Sequence, residues 1–198
     1  MTKILIFGDS IAWGAFDEKY GGWVERLKAH FLKDYNKQKV GVYNFSVSSY
    51  TIKDILESLE NDIKKIEKVE ANGIILFSIG VNDASFNNKE EQVVPIKEFE
   101  ANLNKIIKIA ERHSKRIIFT GLFNVKKELV NSRGKNKFLN NDAVVEYNNV
   151  LEKITKENKL EFIPFFNLLN NEDLSDGLHP NSKGHEKIFN YVREQIKL

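Results

Sequence analysis

Runs of apolar residues alternate with amphipathic stretches along the whole chain, and that alternation carries the first inference. Ile4-Leu5-Ile6-Phe7 has no polar residue within it, the habit of a strand covered on both faces in a parallel sheet. Trp23, Val24, Leu27 and Phe31 then recur at helical spacing. Lys39 to Asn44 reads as a second strand and Ser46 to Tyr50 as a loop. Thr51 followed by Asp54 predicts the cap of a helix whose apolar face is Ile52, Ile55, Leu56, Leu59, Ile63 and Ile66. Gly73 to Ser78 is a third, wholly apolar strand that runs into Gly80-Val81-Asn82-Asp83. After a loop through Pro95, Phe99, Leu103, Ile106, Ile107 and Ala110 line a helix, and Arg116 to Thr120 forms a fourth strand. The polar connection from Gly121 to Asn141 is longer than such a joint needs, as lids and binding edges often are. A helix from about Asp142 to Glu157 and a short strand from Glu161 to Pro164 follow. The terminal helix buries Ile188, Phe189, Val192 and Ile196.

Strands alternating with helices imply parallel strands joined by right-handed crossovers. The expectation is an α/β fold: a five-stranded parallel sheet between two helix layers, in order 2-1-3-4-5, with residues 1–198 as a single domain. In that order the reversal falls between strands 1 and 3. The strand end at Gly8-Asp9-Ser10 then lies beside the one at Asn82, in the crevice where such sheets collect ligands.

Charge narrows the partners. Thirty basic and 28 acidic residues leave a net charge of +2, mixed along presumed helix faces, which gives no footprint for nucleic acid or an anionic membrane. The absence of cysteine excludes disulfides, zinc-thiolate sites and thiol nucleophiles. No signal peptide or membrane span is visible, so a cytoplasmic location is the default expectation.

Gly, Asp and Ser are ordinary turn residues, and Ser10 is a nucleophile only with a base in reach and a group to orient that base. Of four histidines, His30 and His185 lie on apolar helix faces and His113 near a helix C-terminus, which are structural positions. His179 differs. It sits in a loop three residues after Asp176, close enough for that carboxylate to hold one ring nitrogen while the other faces Ser10. Asn82 offers a side-chain amide to an oxyanion, with backbone N–H groups after strands 1 and 2 beside it. Asp9 and Asp83 read as turn and loop organisers. Trp13, Phe86 and Phe123 lie near predicted strand ends, where they either line a pocket or fill core.

Gly8-Asp9-Ser10, Gly80-Val81-Asn82-Asp83 and Asp176-Gly177-Leu178-His179-Pro180 together resemble the blocks of the SGNH, or GDSL, hydrolase family, in the right order and over nearly the whole chain. The resemblance implies a flavodoxin-like three-layer α/β/α sandwich. It also implies a serine esterase that cleaves small carboxylic esters, acetyl esters among them, without metal or cofactor. The matching roles are Ser10 as nucleophile, His179 as general base, Asp176 as its orienting acid and Asn82 as oxyanion donor. A second oxyanion donor is a backbone N–H where the family usually has glycine; alignment of Asn44 to Thr51 puts Ser49 there. Lysophospholipase or thioesterase activity also fits relatives of this kind. Two other classes stay open on the residues: a flavodoxin-like module that binds an anion at the Gly8-Asp9-Ser10 turn, and a metal-dependent phosphatase ligated by Asp9, Asp83 and His179.

Overall fold

The computed structural model describes residues 1–33, 35–66, 73–87, 91–126 and 137–198. At its centre is β1 (Thr2–Gly8), whose Ile4, Leu5 and Ile6 are fully buried. Each such side chain contributes about 1.5–3 kcal/mol relative to exposure. Parallel partners flank β1 on both sides: β2 (Val40–Asn44) pairs Ile6 with Asn44, and β3 (Ile74–Ser78) pairs Gly8 with Ser78. Three short strands come next, β4 (Phe86–Asn87), β5 (Glu91–Gln92) and β7 (Lys137–Phe138), with β6 (Arg116–Thr120) between them in the chain. The last strand is β8 (Glu161–Ile163).

The main sheet runs β2-β1-β3-β6-β8, all parallel. Counted among its own strands this is the expected order 2-1-3-4-5, with the reversal at β1. The three two-residue strands form a separate antiparallel sheet in order β5-β4-β7. No sequence period announces them, since two residues are too few for an alternation to show.

Helices cover both faces. α1 (Ser10–Trp13) is a single turn, and α2 (Trp23–Lys33), α3 (Tyr35–Gln38), α4 (Ile52–Lys65), α5 (Ile96–Ala110), α6 (Asn141–Glu157) and α7 (Ser182–Gln195) follow in chain order. α2 packs against β2 and α7, while α4 packs against α5 and α5 against α6, the two layers of a doubly wound sheet. The predicted cap is present: the Thr51 N–H and hydroxyl both donate to Asp54 Oδ2, at 2.7 and 2.6 Å. Among the described residues no helix is long and apolar enough to cross a membrane.

The long connection after β6 is described only at its two ends. Residues 127–136 lie outside the described residues, but Leu122, Phe123 and Val125 at its start are buried in the core. Asn141 clamps it from the far end, accepting from the Val125 N–H at 2.8 Å and donating to its carbonyl at 2.9 Å. The start of this segment is therefore core and not lid. The Ala84 to Pro95 loop likewise buries Ala84, Ser85 and Val94, with residues 88–90 outside the described residues.

Candidate active site

β1 delivers Ser10 into the crevice through a turn that only glycine can make at its start. A Cβ on Gly8 would stand 2.7 Å from both Ala12 Cβ and the Ser78 carbonyl oxygen. Asp9 then caps α1, its carboxylate accepting from the Ile11 N–H at 2.9 Å. Gly14 closes the turn at φ +101°, in the left-handed region, with the Gly21–Gly22 backbone pressed against it.

The second component arrives 169 residues later. His179 Nε2 lies 2.9 Å from Ser10 Oγ. On the other side of the ring, His179 Nδ1 lies 2.9 Å from Asp176 Oδ2 and 3.1 Å from Oδ1. Asp176 Oδ1 also accepts the backbone N–H groups of Leu178 and His179, at 3.1 and 2.9 Å. Burial works to raise the Asp176 carboxyl, but these hydrogen bonds and the imidazole outweigh it and hold the group below the ordinary carboxylate range. An ionised Asp176 can only accept, so the Nδ1 hydrogen is assigned to that bond. Nε2 of the neutral ring is then the acceptor, and Ser10 donates its hydroxyl proton.

The loop that carries this pair is braced from behind. Ser175 N–H donates to the His179 carbonyl at 2.8 Å, and Asn181 N–H to the Asp173 carbonyl at 2.8 Å. The Asp173 carboxylate is buried and accepts from the Asn170 N–H at 2.9 Å and from Lys187 at 2.6 Å. Asn181 caps α7 through the N–H groups of Lys183 and Gly184. His185, fully buried, accepts from the Trp23 N–H at 3.3 Å through Nδ1 and bonds the Ala15 carbonyl at 2.9 Å through Nε2. That ties α7 to the 14–22 loop at Ala15 and to the start of α2 at Trp23, the structural use its apolar spacing suggests.

The third wall comes from the ends of β2 and β3. Asn82 Nδ2 donates to the Tyr50 carbonyl at 2.9 Å, which orients the amide against the loop that holds Ser49. Asp83 beside it accepts from the Ile52 N–H at 2.9 Å and so fixes the start of α4. Ser49 itself is exposed and has φ +70°, the conformation a glycine would adopt freely. Asp9 and Asp83 are buried, and desolvation outweighs their backbone hydrogen bonds to push both carboxyls up to about 7. Asp9 further raises Asp83 by charge.

The expected residues thus fall into two groups. Ser10, His179 and Asp176 touch one another in series, while Asn82 and Ser49 stand on the adjoining loops, linked through Tyr50. Asp9 and Asp83 grip backbone N–H groups, and both ring nitrogens of His179 are engaged. Among the described residues no group of three or more His, Asp or Glu side chains could hold a metal ion. Of the aromatic candidates, Phe123 is buried and lines a small pocket with Asp9, Ile11 and Phe165. Phe86 is half-buried in the small sheet, and Trp13 is exposed. Composition and spacing singled out no role for Phe16, whose ring centroid lies 5.2 Å from that of His179. A loop phenylalanine between two glycine turns carries no signal of such a contact.

The doubly wound sheet and the serine, histidine and aspartate at its crevice are features of a hydrolase. Residues 6–187 match the GDSL-like Lipase/Acylhydrolase family, and the chain belongs to that family of ester hydrolases. It is 25% identical over 205 residues to the human isoamyl acetate-hydrolyzing esterase 1 homolog, an alignment that covers 96% of this chain and 79% of the relative. Its fold is similar to that of Axe2, an acetylxylan esterase from Geobacillus stearothermophilus, with a TM-score of 0.76 at 20% identity over 100% of this chain and 94% of the other. A member of the lipolytic G-D-S-L family from Veillonella parvula has a TM-score of 0.74 at 20% identity, over 98% of this chain and 97% of the other.

Proposed function

We propose that the protein cleaves small carboxylic esters, acetyl esters among them, by a two-step acyl-enzyme route. The observation that carries this reading is the unbroken series from Ser10 Oγ through His179 to Asp176, each link 2.9 Å long. Ser10 Oγ attacks the ester carbonyl carbon while His179 Nε2 takes its proton. The imidazolium so formed is steadied by ionised Asp176 and returns the proton to the departing alcohol oxygen. The N–H groups of Ser10 and Ser49 and the amide of Asn82 receive the oxyanion. Water, deprotonated by His179, then attacks the acyl carbon and frees Ser10.

Two names among the similar proteins support the acetyl group in this reading, a homolog of an isoamyl acetate-hydrolyzing esterase and, in fold, an acetylxylan esterase. The test is hydrolysis of p-nitrophenyl esters of increasing acyl length by wild type and Ser10→Ala in parallel. The expected result is Ser10-dependent turnover that peaks at acetate, with Ser10→Ala folded and inactive. Activity that survives in Ser10→Ala removes the serine from the reaction. A peak at long chains replaces the acetyl reading with a lysophospholipase or thioesterase one.

A further inference from the structure

Phe16 holds a backbone conformation foreign to bulky side chains, with φ +67°. Such strain persists only where its surroundings over-determine it, and it gathers at functional sites. Here the residues on either side are tied down. The Ala15 N–H donates to the Ser10 carbonyl at 3.0 Å, and the Ala15 carbonyl is held by His185. The Asp17 N–H donates to the Gly14 carbonyl at 3.2 Å. The Asp17 carboxylate, buried, accepts from the Tyr20 and Gly22 N–H groups and from Arg26, which reaches on to Ser182 at the start of α7. What this frame delivers is one ring, tilted 38° against His179 and still 41% exposed.

The consequence rests on the serine-esterase reading above. There the alcohol oxygen must come within hydrogen-bond reach of His179 Nε2 to receive its proton, so the alcohol lies on the histidine side of the scissile bond. The carbonyl oxygen faces Ser49 and Asn82 on the other. A ring packed on the imidazole and open to solvent borders the path of the alcohol. Trp13, three residues after Ser10 in α1 and 57% exposed, falls on the Ser10 face by helical spacing.

We infer that Phe16 is a specificity-determining wall on the leaving-group side, which selects esters whose alcohol offers an aliphatic C–H face, as a branched alkyl chain or a sugar ring does. The test compares kcat/KM of wild type and Phe16→Gly on methyl acetate, isoamyl acetate and methyl 2-O-acetyl-β-xyloside. Glycine adopts φ +67° without strain, so the loop is kept while the ring is lost. If Phe16→Gly melts below wild type, Phe16→Asn, which tolerates the same conformation, replaces it in the comparison. One methylene in an apolar pocket is worth about 10–200-fold in kcat/KM. The ratio of isoamyl or xyloside ester to methyl acetate is therefore expected to fall about tenfold, and the ratio that falls identifies the alkyl or the sugar alcohol. A fall of less than fivefold in both ratios overturns the inference. An equal loss on all three esters does so too, being the signature of a residue that only orients His179. Absence of Ser10-dependent hydrolysis of methyl acetate by wild type overturns both the inference and the esterase reading beneath it.

Discussion

Replacing Asp83 by asparagine should stabilise the protein at alkaline pH. One oxygen of Asp83 accepts from the Ile52 N–H, and the other is buried without a hydrogen-bond partner. Asparagine keeps the first bond and mimics the neutral acid at the second position, so the substitution removes the ionisable proton and little else. Burial carries this carboxyl from 3.8 up to about 7, which corresponds to about 4 kcal/mol in favour of the neutral form. Between those two values the folded chain holds a proton that the unfolded chain has released. The contribution of Asp83 to stability is therefore complete below pH 3.8 and lost as pH rises to 7. Between pH 5 and pH 8 the part lost is about 2–3 kcal/mol, or about 5–10 °C in Tm for a chain of this size. Asp9 titrates in the same interval with the same sign, and His185, lowered chiefly by burial, loses stability in the opposite direction as pH falls below 6.5. Both remain in the variant, so the difference between the proteins reports Asp83 together with its charge coupling to Asp9. Thermal melts of wild type and Asp83→Asn at pH 5 and pH 8 give the answer. The variant's lead should widen by those degrees from the lower to the higher pH; a gap that stays constant, or that narrows, refutes the reasoning.

Two further outcomes follow from the site. Asn82→Ala should lower kcat about a hundredfold or more with a smaller change in KM, because the amide acts on charge that develops in the transition state; steady-state kinetics on p-nitrophenyl acetate check this, and an unchanged kcat removes Asn82 from the oxyanion hole. Ser49→Gly should raise Tm by about 2–4 °C, since relief of the φ +70° conformation is worth about 1 kcal/mol. A fall in Tm would show that the Ser49 side chain holds its loop.

The sequence and the structure agree where periodicity or chemistry left a mark. The two central strands β1 and β3 are the most legible, because burial on both faces requires uninterrupted apolar runs, as in Ile4 to Phe7 and Ile74 to Phe77. The Ser10, His179 and Asp176 contacts are legible because proton transfer restricts the residue types that can stand together. Strain and small antiparallel pairings leave no such mark. Nothing in the letters around Phe16 specifies a positive φ, which is imposed by His185 and Arg26 from elsewhere in the chain. In the Gly121 to Asn141 connection, read as a long polar segment of the kind that forms lids and binding edges, average polarity hid Leu122, Phe123 and Val125, which pack inward. Ser49 fell between the two: alignment located it, and only the fold revealed that it keeps a glycine-like backbone.

The hydrogen bond between Ser10 and His179 spans 169 positions, and the one between Trp23 and His185 spans 162. Synthesis therefore runs 169 residues past Ser10 before that side chain can meet His179. Under the proposed mechanism Ser10 stays an ordinary hydroxyl until then, so the nascent protein is expected to be chemically silent. Docking of α7 then sets His185 against Ala15 and Trp23 and so clamps the 14–22 loop. A chain that ends before Asp176 thus lacks both side chains that the proposed mechanism sets behind Ser10, together with the helix that frames them.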